Sequence, residues 1–316
     1  MFVTVKQTIC NNFVFLFKLY IVQQVHGPKV RPSQPCLIRD AVLSLTGVIS
    51  SEFTDSVVAM TSLDDDVFVV RYNNEQIEVY DAVTLTLQRC LALPGTLRGT
   101  GGLAACGSNH CVYASDWNRS SVSRVELSGS NAVKKWSVAS RPAGLSVNKA
   151  NNLLVTCDDA NKIQEYTTHG SLVREICLQA GVTDPWHAIQ LSTGDYVVSQ
   201  CTSPGVVSVI GVDGHVVHSY GQSQTSDVGE MQYPSNLAVT KNDDILVADE
   251  DNNRILSINR STGCVQELAL PVDDSIQGPR GLCLDESRGR LHVGEFSGKC
   301  RLLAIDCSVL QDHITV

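Results

Sequence analysis

Positive charge is scarce in this chain: Lys and Arg number 24 against 33 Asp and Glu, giving a net charge of -9 and an isoelectric point near 5.3. Nucleic-acid binding rests on clustered cations that release counterions from phosphates, so this balance argues against a phosphate-reading surface. Long apolar runs are also missing. Phe13-Val14-Phe15-Leu16-Phe17 is broken by Lys18 before Leu19-Tyr20-Ile21-Val22, whereas a bilayer crossing needs about 20 mostly apolar residues. None of the 12 cysteines forms a CxxC pair, which excludes a zinc ribbon or a RING-type framework. GxSxG, HExxH, P-loop and Rossmann patterns are absent. The sequence therefore nominates no catalytic residue, no metal ligand and no cofactor.

What is present suits a folded globular chain. At 34.2 kDa size scaling predicts burial of about three quarters of the extended-chain surface. A hydrophobic fraction of 43% with 18% charged residues and mean hydropathy +0.02 is far from the composition of disorder. Most cysteines sit in or beside apolar runs and are expected to be buried, reduced thiols. Residues 1–39 read as a leader and linker: Pro28, Pro32 and Pro35 break the stretch before the first regular strands. The expected location is cytoplasmic, with secretion or anchoring through residues 9–25 as the alternative.

From residue 40 onward the chain repeats. In residues 233–263, Asn236-Leu237-Ala238-Val239 reads as a first strand and Ile245-Leu246-Val247-Ala248 as a second, apolar on consecutive positions and so buried on both faces. The turns between are rich in Asn and Asp, which bond their own backbone and tolerate left-handed conformations. Arg254-Ile255-Leu256-Ser257-Ile258 makes a third strand, and residues 264–270 a fourth. The second-strand run recurs before Arg71, Asp116, Cys157, Gln200, Asp249 and Glu295, at intervals of about 45 residues. Six four-stranded units of that length predict an all-β, six-bladed β-propeller over residues 40–316, since each blade buries its faces only against its neighbours. Residues 40–45 stand alone before the first unit and are expected to supply the outer strand of the last.

A second column supports the alignment. Pro142-Ala143-Gly144-Leu145, Pro185-Trp186-His187-Ala188, Pro234-Ser235-Asn236-Leu237 and Pro279-Arg280-Gly281-Leu282 lead into first strands, with Thr100-Gly101-Gly102-Leu103 a looser version. Proline is excluded from mid-strand positions, so these mark blade boundaries. With the Leu-Val-Ala-Asp and Asn-Arg-Ile of residues 246–255, these motifs resemble the NHL-repeat family, six-bladed propellers at the carboxyl end of TRIM-type ubiquitin ligases and in related proteins. The resemblance implies a non-enzymatic module that selects protein substrates for ubiquitination, with the RING supplied by a partner or a longer gene product. Enzymes of the lactonase or amidating-lyase type, and RNA-binding NHL domains, are the competing readings.

In such a propeller the turns after second strands gather with the lead-in turns around one mouth of the central channel. Tyr72, Trp117 and Phe296 follow the second strands of three units, and Trp186 and His187 occupy a lead-in turn. Together they form the candidate patch for a protein or peptide ligand, aromatic rings being favoured at binding surfaces. The bland alternative is that each ring covers the next blade. Asp116, Asp249 and Glu295 repeat at second-strand ends and, with Asn253 and Arg254, are expected to serve their own turns. His187 lacks convergent partners for a metal. Acidic residues outnumber basic ones on these turns, which disfavours RNA; neither nucleic acid nor membrane is expected as a partner, and the chain is expected to be a monomer.

Overall fold

In a computed structural model, the described residues are 44–49, 55–72, 74, 76–93, 101–129, 131–221, 228–270 and 275–305. The leader and the candidate anchor at 9–25 lie outside them. Six four-stranded antiparallel sheets make a six-bladed propeller, and among the described residues the only helical turns are two short 3-10 segments.

Strand β1 (Ser44–Ile49) precedes the first complete blade, β2 (Val57–Leu63), β3 (Asp66–Arg71), β4 (Gln76–Asp81) and β5 (Leu87–Ala92). Blade 2 holds β6 (Leu103–Cys106), β7 (Cys111–Asp116), β8 (Ser121–Glu126) and β9 (Val133–Ser137). Blade 3 is β10 (Pro142–Val147), β11 (Leu153–Cys157), β12 (Lys162–Tyr166) and β13 (Leu172–Cys177), and blade 4 is β14 (Pro185–Gln190), β15 (Tyr196–Gln200), β16 (Val206–Ile210) and β17 (Val216–Tyr220). Blade 5 comprises β18 (Pro234–Val239), β19 (Ile245–Asp249), β20 (Arg254–Ile258) and β21 (Val265–Glu267). Blade 6 comprises β22 (Pro279–Asp285), β23 (Arg290–Glu295) and β24 (Cys300–Ala304), and β1 pairs antiparallel with β24 as its fourth strand. That strand runs over Ser44–Ile49, past the expected end at Leu45, with a register irregularity between Leu45 and Gly47; residues 40–43 of the expected strand lie outside the described residues. The Thr46 hydroxyl donates to the Leu302 carbonyl at 3.0 Å.

Burial explains the sequence pattern. Val67 to Val70 and Ile245 to Ala248 are each at or near zero exposure on successive residues, because both faces of a second strand meet neighbouring blades. The core accordingly divides into six apolar clusters, one at each seam between consecutive blades. One joins Leu246 and Ala248 to Leu291 and Val293; another joins Val67 and Val69 of blade 1 to Cys300 of blade 6. Fully burying a Val or Leu contributes about 1.5–3 kcal/mol, so the seams carry most of the favourable energy.

The lead-in prolines are the first residues of β10, β14, β18 and β22, and in each blade the register shifts just after them. Proline is tolerated at that first position because the irregularity interrupts the ladder there. Among the described residues eight cysteines are free thiols, including buried Cys106, Cys111, Cys157 and Cys300. Cys90 and Cys177, exposed on outer strands, and Cys264, in a disulfide, are the departures from the buried, reduced state expected of most cysteines.

The inner strands approach closely enough to need glycine. A Cβ on Gly144 would lie 2.4 Å from the Trp186 carbonyl oxygen and 2.8 Å from the His187 Cα. Gly144→Ala is therefore expected to lower stability by about 3 kcal/mol, read as a fall in the midpoint of thermal denaturation relative to wild type.

Candidate functional site

The second strands end on one face, and their last residues are buried and bonded. Asp249, fully buried, accepts from the Arg254 Nε at 2.7 Å, the Asn252 amide at 2.8 Å and the Gln232 N–H at 2.6 Å. Arg254 in turn donates to the carbonyls of Val228 at 2.5 Å and Glu230 at 3.1 Å. Glu295 pairs with Arg301 and accepts from the Ser297 hydroxyl at 2.7 Å, while Arg301 reaches the Ser275 carbonyl at 2.9 Å. Gln200 accepts from the Thr183 N–H at 2.8 Å and donates to Ser208 at 3.0 Å.

In blade 1 the charges are exchanged. Arg71 occupies the acidic position and pairs with Glu78 at 2.9 Å, both side chains fully buried. Its guanidinium also donates to the carbonyls of Asp55 at 3.1 Å and Gly298 at 2.5 Å. In blades 1, 4, 5 and 6 the strand-end group or its partner thus bonds the segment that leads into the same blade.

Asp116 works more locally. It caps the 3-10 turn Trp117–Arg119 by accepting the Arg119 N–H at 3.1 Å, and it pairs with Lys135 at 3.1 Å. Asn253 adopts φ +55° and accepts from the Gly278 N–H at 2.7 Å, which ties the blade 5 turn to the lead-in of blade 6. The left-handed conformation is one that asparagine tolerates.

The aromatic candidates separate into two kinds. Tyr72 is 42% exposed and Phe296 50% exposed. They flank the seam between blades 1 and 6, where Arg71, next to Tyr72, donates to Gly298, two residues beyond Phe296. The Arg280 guanidinium stands 5.4 Å from the Phe296 ring centroid and holds Glu250 at 2.9 Å. Trp117, in contrast, is only half-buried and fastened to blade 3: its indole N–H donates to Asp158 at 3.3 Å and Arg141 lies 4.5 Å over its ring. The Asp158 carboxylate, 41 residues away in sequence, anchors the indole, so the Trp117 ring partly covers the neighbouring blade. Burial pushes the Asp158 and Glu250 carboxyls up from their ordinary values, opposed by Arg141 and Arg280 respectively. Trp186 is also half-buried, and its indole nitrogen is buried without a hydrogen-bond partner among the described residues.

His187 is buried at 8% exposure. Its Nε2 contacts the Leu145 carbonyl of blade 3 at 3.0 Å, and its Nδ1 accepts from the Leu237 N–H of blade 5 at 3.0 Å. The second bond places the proton on Nε2, so a neutral ring braces the two blades flanking its own. Burial lowers its pKa from 6.5 to about 4. Among the described residues, no cluster of His, Cys, Asp and Glu is arranged to hold a metal ion. The inner strands enclose a channel of about 310 Å³, lined by residues of all six blades, including His187 and Asn236. The ~45-residue spacing aligns Arg71 with the strand-end column, but sequence reasoning missed its buried partner Glu78, seven residues on.

Six four-stranded blades around a channel define the class, a six-bladed β-propeller. Within it, residues 231–256 match the NHL repeat, covering β18, β19 and the start of β20. No curated protein matches the sequence. Similar solved structures include a streptogramin B lyase, 16% identical over 84% of this chain and 97% of that one, with a TM-score of 0.60. A catalytically inactive virginiamycin B lyase from Staphylococcus aureus with quinupristin is 15% identical over 82% and 83%, TM-score 0.60. The WD40 propeller domain of Doa1 is 10% identical over 84% and 98%, TM-score 0.59. At these identities the likeness concerns the fold alone.

Two outcomes follow from the buried groups. Glu78→Leu leaves Arg71 uncompensated and is expected to cost about 3–5 kcal/mol, much of it recovered in the Arg71→Met/Glu78→Leu double variant; denaturant titration of the three proteins measures both. The unfolded chain takes up the His187 proton at about 6.5 and the folded chain only at about 4. Stability from this residue is therefore present above 6.5 and is lost as pH falls toward 4. Between pH 7 and pH 5 wild type should lose about 2 kcal/mol more than His187→Gln, a difference that matched denaturation curves at the two pH values would reveal.

Proposed function

We propose that the chain is a recognition module, not itself an enzyme, that takes a protein or peptide on the face where the second strands end. The observation carrying this reading is the pair of exposed rings, Tyr72 and Phe296, at equivalent positions of adjoining blades 1 and 6. Around them the ionisable groups are committed to structure: Arg71 to Glu78, Arg280 to Glu250 and Glu295 to Arg301. Exposed aromatics on a base of fixed charges suit binding, since the rings bury area at small entropic cost. Trp117 and Trp186 extend the same face toward blades 2 and 4. The NHL resemblance supports a role in choosing ubiquitination substrates, with catalysis supplied elsewhere. The free thiols among the described residues favour a reducing compartment such as the cytoplasm, and the Cys264 disulfide is the counter-indication.

The reading is tested with the Tyr72→Ser/Phe296→Ser double variant against Val217→Ser, which alters a 59% exposed residue on the outer strand of blade 4. Both should stay within about 0.5 kcal/mol of wild type in stability per site. Affinity capture followed by mass spectrometry should show partners lost in the double variant and kept in Val217→Ser. Identical partner sets in all three proteins would contradict the assignment.

A further inference from the structure

Two residues beyond each lead-in proline, the chain passes the mouth of the channel. Gly144 and Gly281 stand there in blades 3 and 6, while His187 and Asn236 take the same place in blades 4 and 5. The two side chains behave differently. Both nitrogens of His187 are used, as described above. Asn236 is 6% exposed and lines the channel, yet its amide has no hydrogen-bond partner among the described residues. The Asn236 amide atoms are not among the buried orphaned ones, so its two donors and its acceptor open onto the channel and are answered by whatever fills it.

The lining sets the chemistry of that content. None of the described residues around the channel carries a charge, His187 being neutral. An ionic group entering it would lose its hydration with nothing to replace it. A purely apolar group would leave Asn236 unsatisfied. Leu103, Leu145, Leu237 and Leu282 line the same space, so a short apolar stem tipped by an uncharged hydrogen-bonding group fits best. A hydroxyl would meet only part of the Asn236 amide. A second primary amide meets both its N–H and its C=O, edge to edge.

We propose that the channel mouth receives an asparagine or glutamine side chain of the peptide bound on this face, paired amide to amide with Asn236. This rests on the recognition reading given above. The volume of about 310 Å³ is at the lower end of ligand pockets and is ample for one side chain.

The test uses N-acetyl-glutamine N-methylamide as probe, with the glutamate and norleucine analogues as controls, followed by the NMR signals of the Asn236 side-chain amide in the full chain. The glutamine compound should shift those signals and bind at least about tenfold more tightly than either control. Asn236→Leu should erase the preference. Asn236→Asp is the second variant should the leucine protein fail to fold, and it too should lose the preference. Equal binding of the norleucine analogue, unchanged preference in a folded variant, or no shift with any compound, as when water alone fills the channel, would overturn the proposal. The probes need no protein partner. A failure here with the Tyr72 and Phe296 result intact would therefore remove the channel assignment and leave the recognition face standing.

Discussion

The carboxylate of Asp249 is withdrawn from water and held by Arg254, Asn252 and the Gln232 N–H, while Arg254 reaches the carbonyls of Val228 and Glu230. One buried ion pair thereby fastens the end of a second strand to the segment that leads into the same blade. Glu295 with Arg301 does this in blade 6, Arg71 with Glu78 in blade 1, and Gln200 without charge in blade 4. The apolar seams supply the bulk of the stabilisation but are non-directional. The strand-end pairs supply direction, because a broken buried pair is strongly penalised and its partners have few alternative positions. The geometry of the face depends on them in four of the six blades.

A consequence is a division of labour on that face. Residues that look chemically rich, the repeated acids and their arginines, are already satisfied by one another. His187 is likewise spent on bracing blades 3 and 5, at the cost of a proton affinity far below that of free imidazole. What remains available is exposed ring surface at Tyr72 and Phe296 and the unpaired amide of Asn236. On the recognition reading proposed above, these are the groups that meet the ligand.

Much of this architecture was legible beforehand. The ~45-residue spacing, the doubly buried second strands and the lead-in prolines reflect local chemistry and period, and they placed the six blades. The structural reading of Asp116, Asp249 and Arg254 rested on turn chemistry that the bonds around them now describe in detail. Exposure was harder to read. Whether a tryptophan after a second strand faces solvent depends on a carboxylate in the next blade, as Trp117 depends on Asp158, and no local pattern encodes that. The extension of β1 past Leu45 had a similar origin, since its register is fixed by pairing with β24 at the far end of the chain. The pairing of Arg71 was obscured because its charge is opposite to that of its counterparts, although its partner Glu78 reverses in step.

On the proposed reading, this propeller recognises its ligand through the exposed rings at the seam of blades 1 and 6. Hydroxyl-radical footprinting of the chain, free and saturated with a captured partner, tests it at the level of individual side chains. Tyr72 and Phe296 should become protected while Leu172 and Val217 on the outer strands keep their reactivity. Protection of the outer strands with Tyr72 and Phe296 unchanged would contradict it.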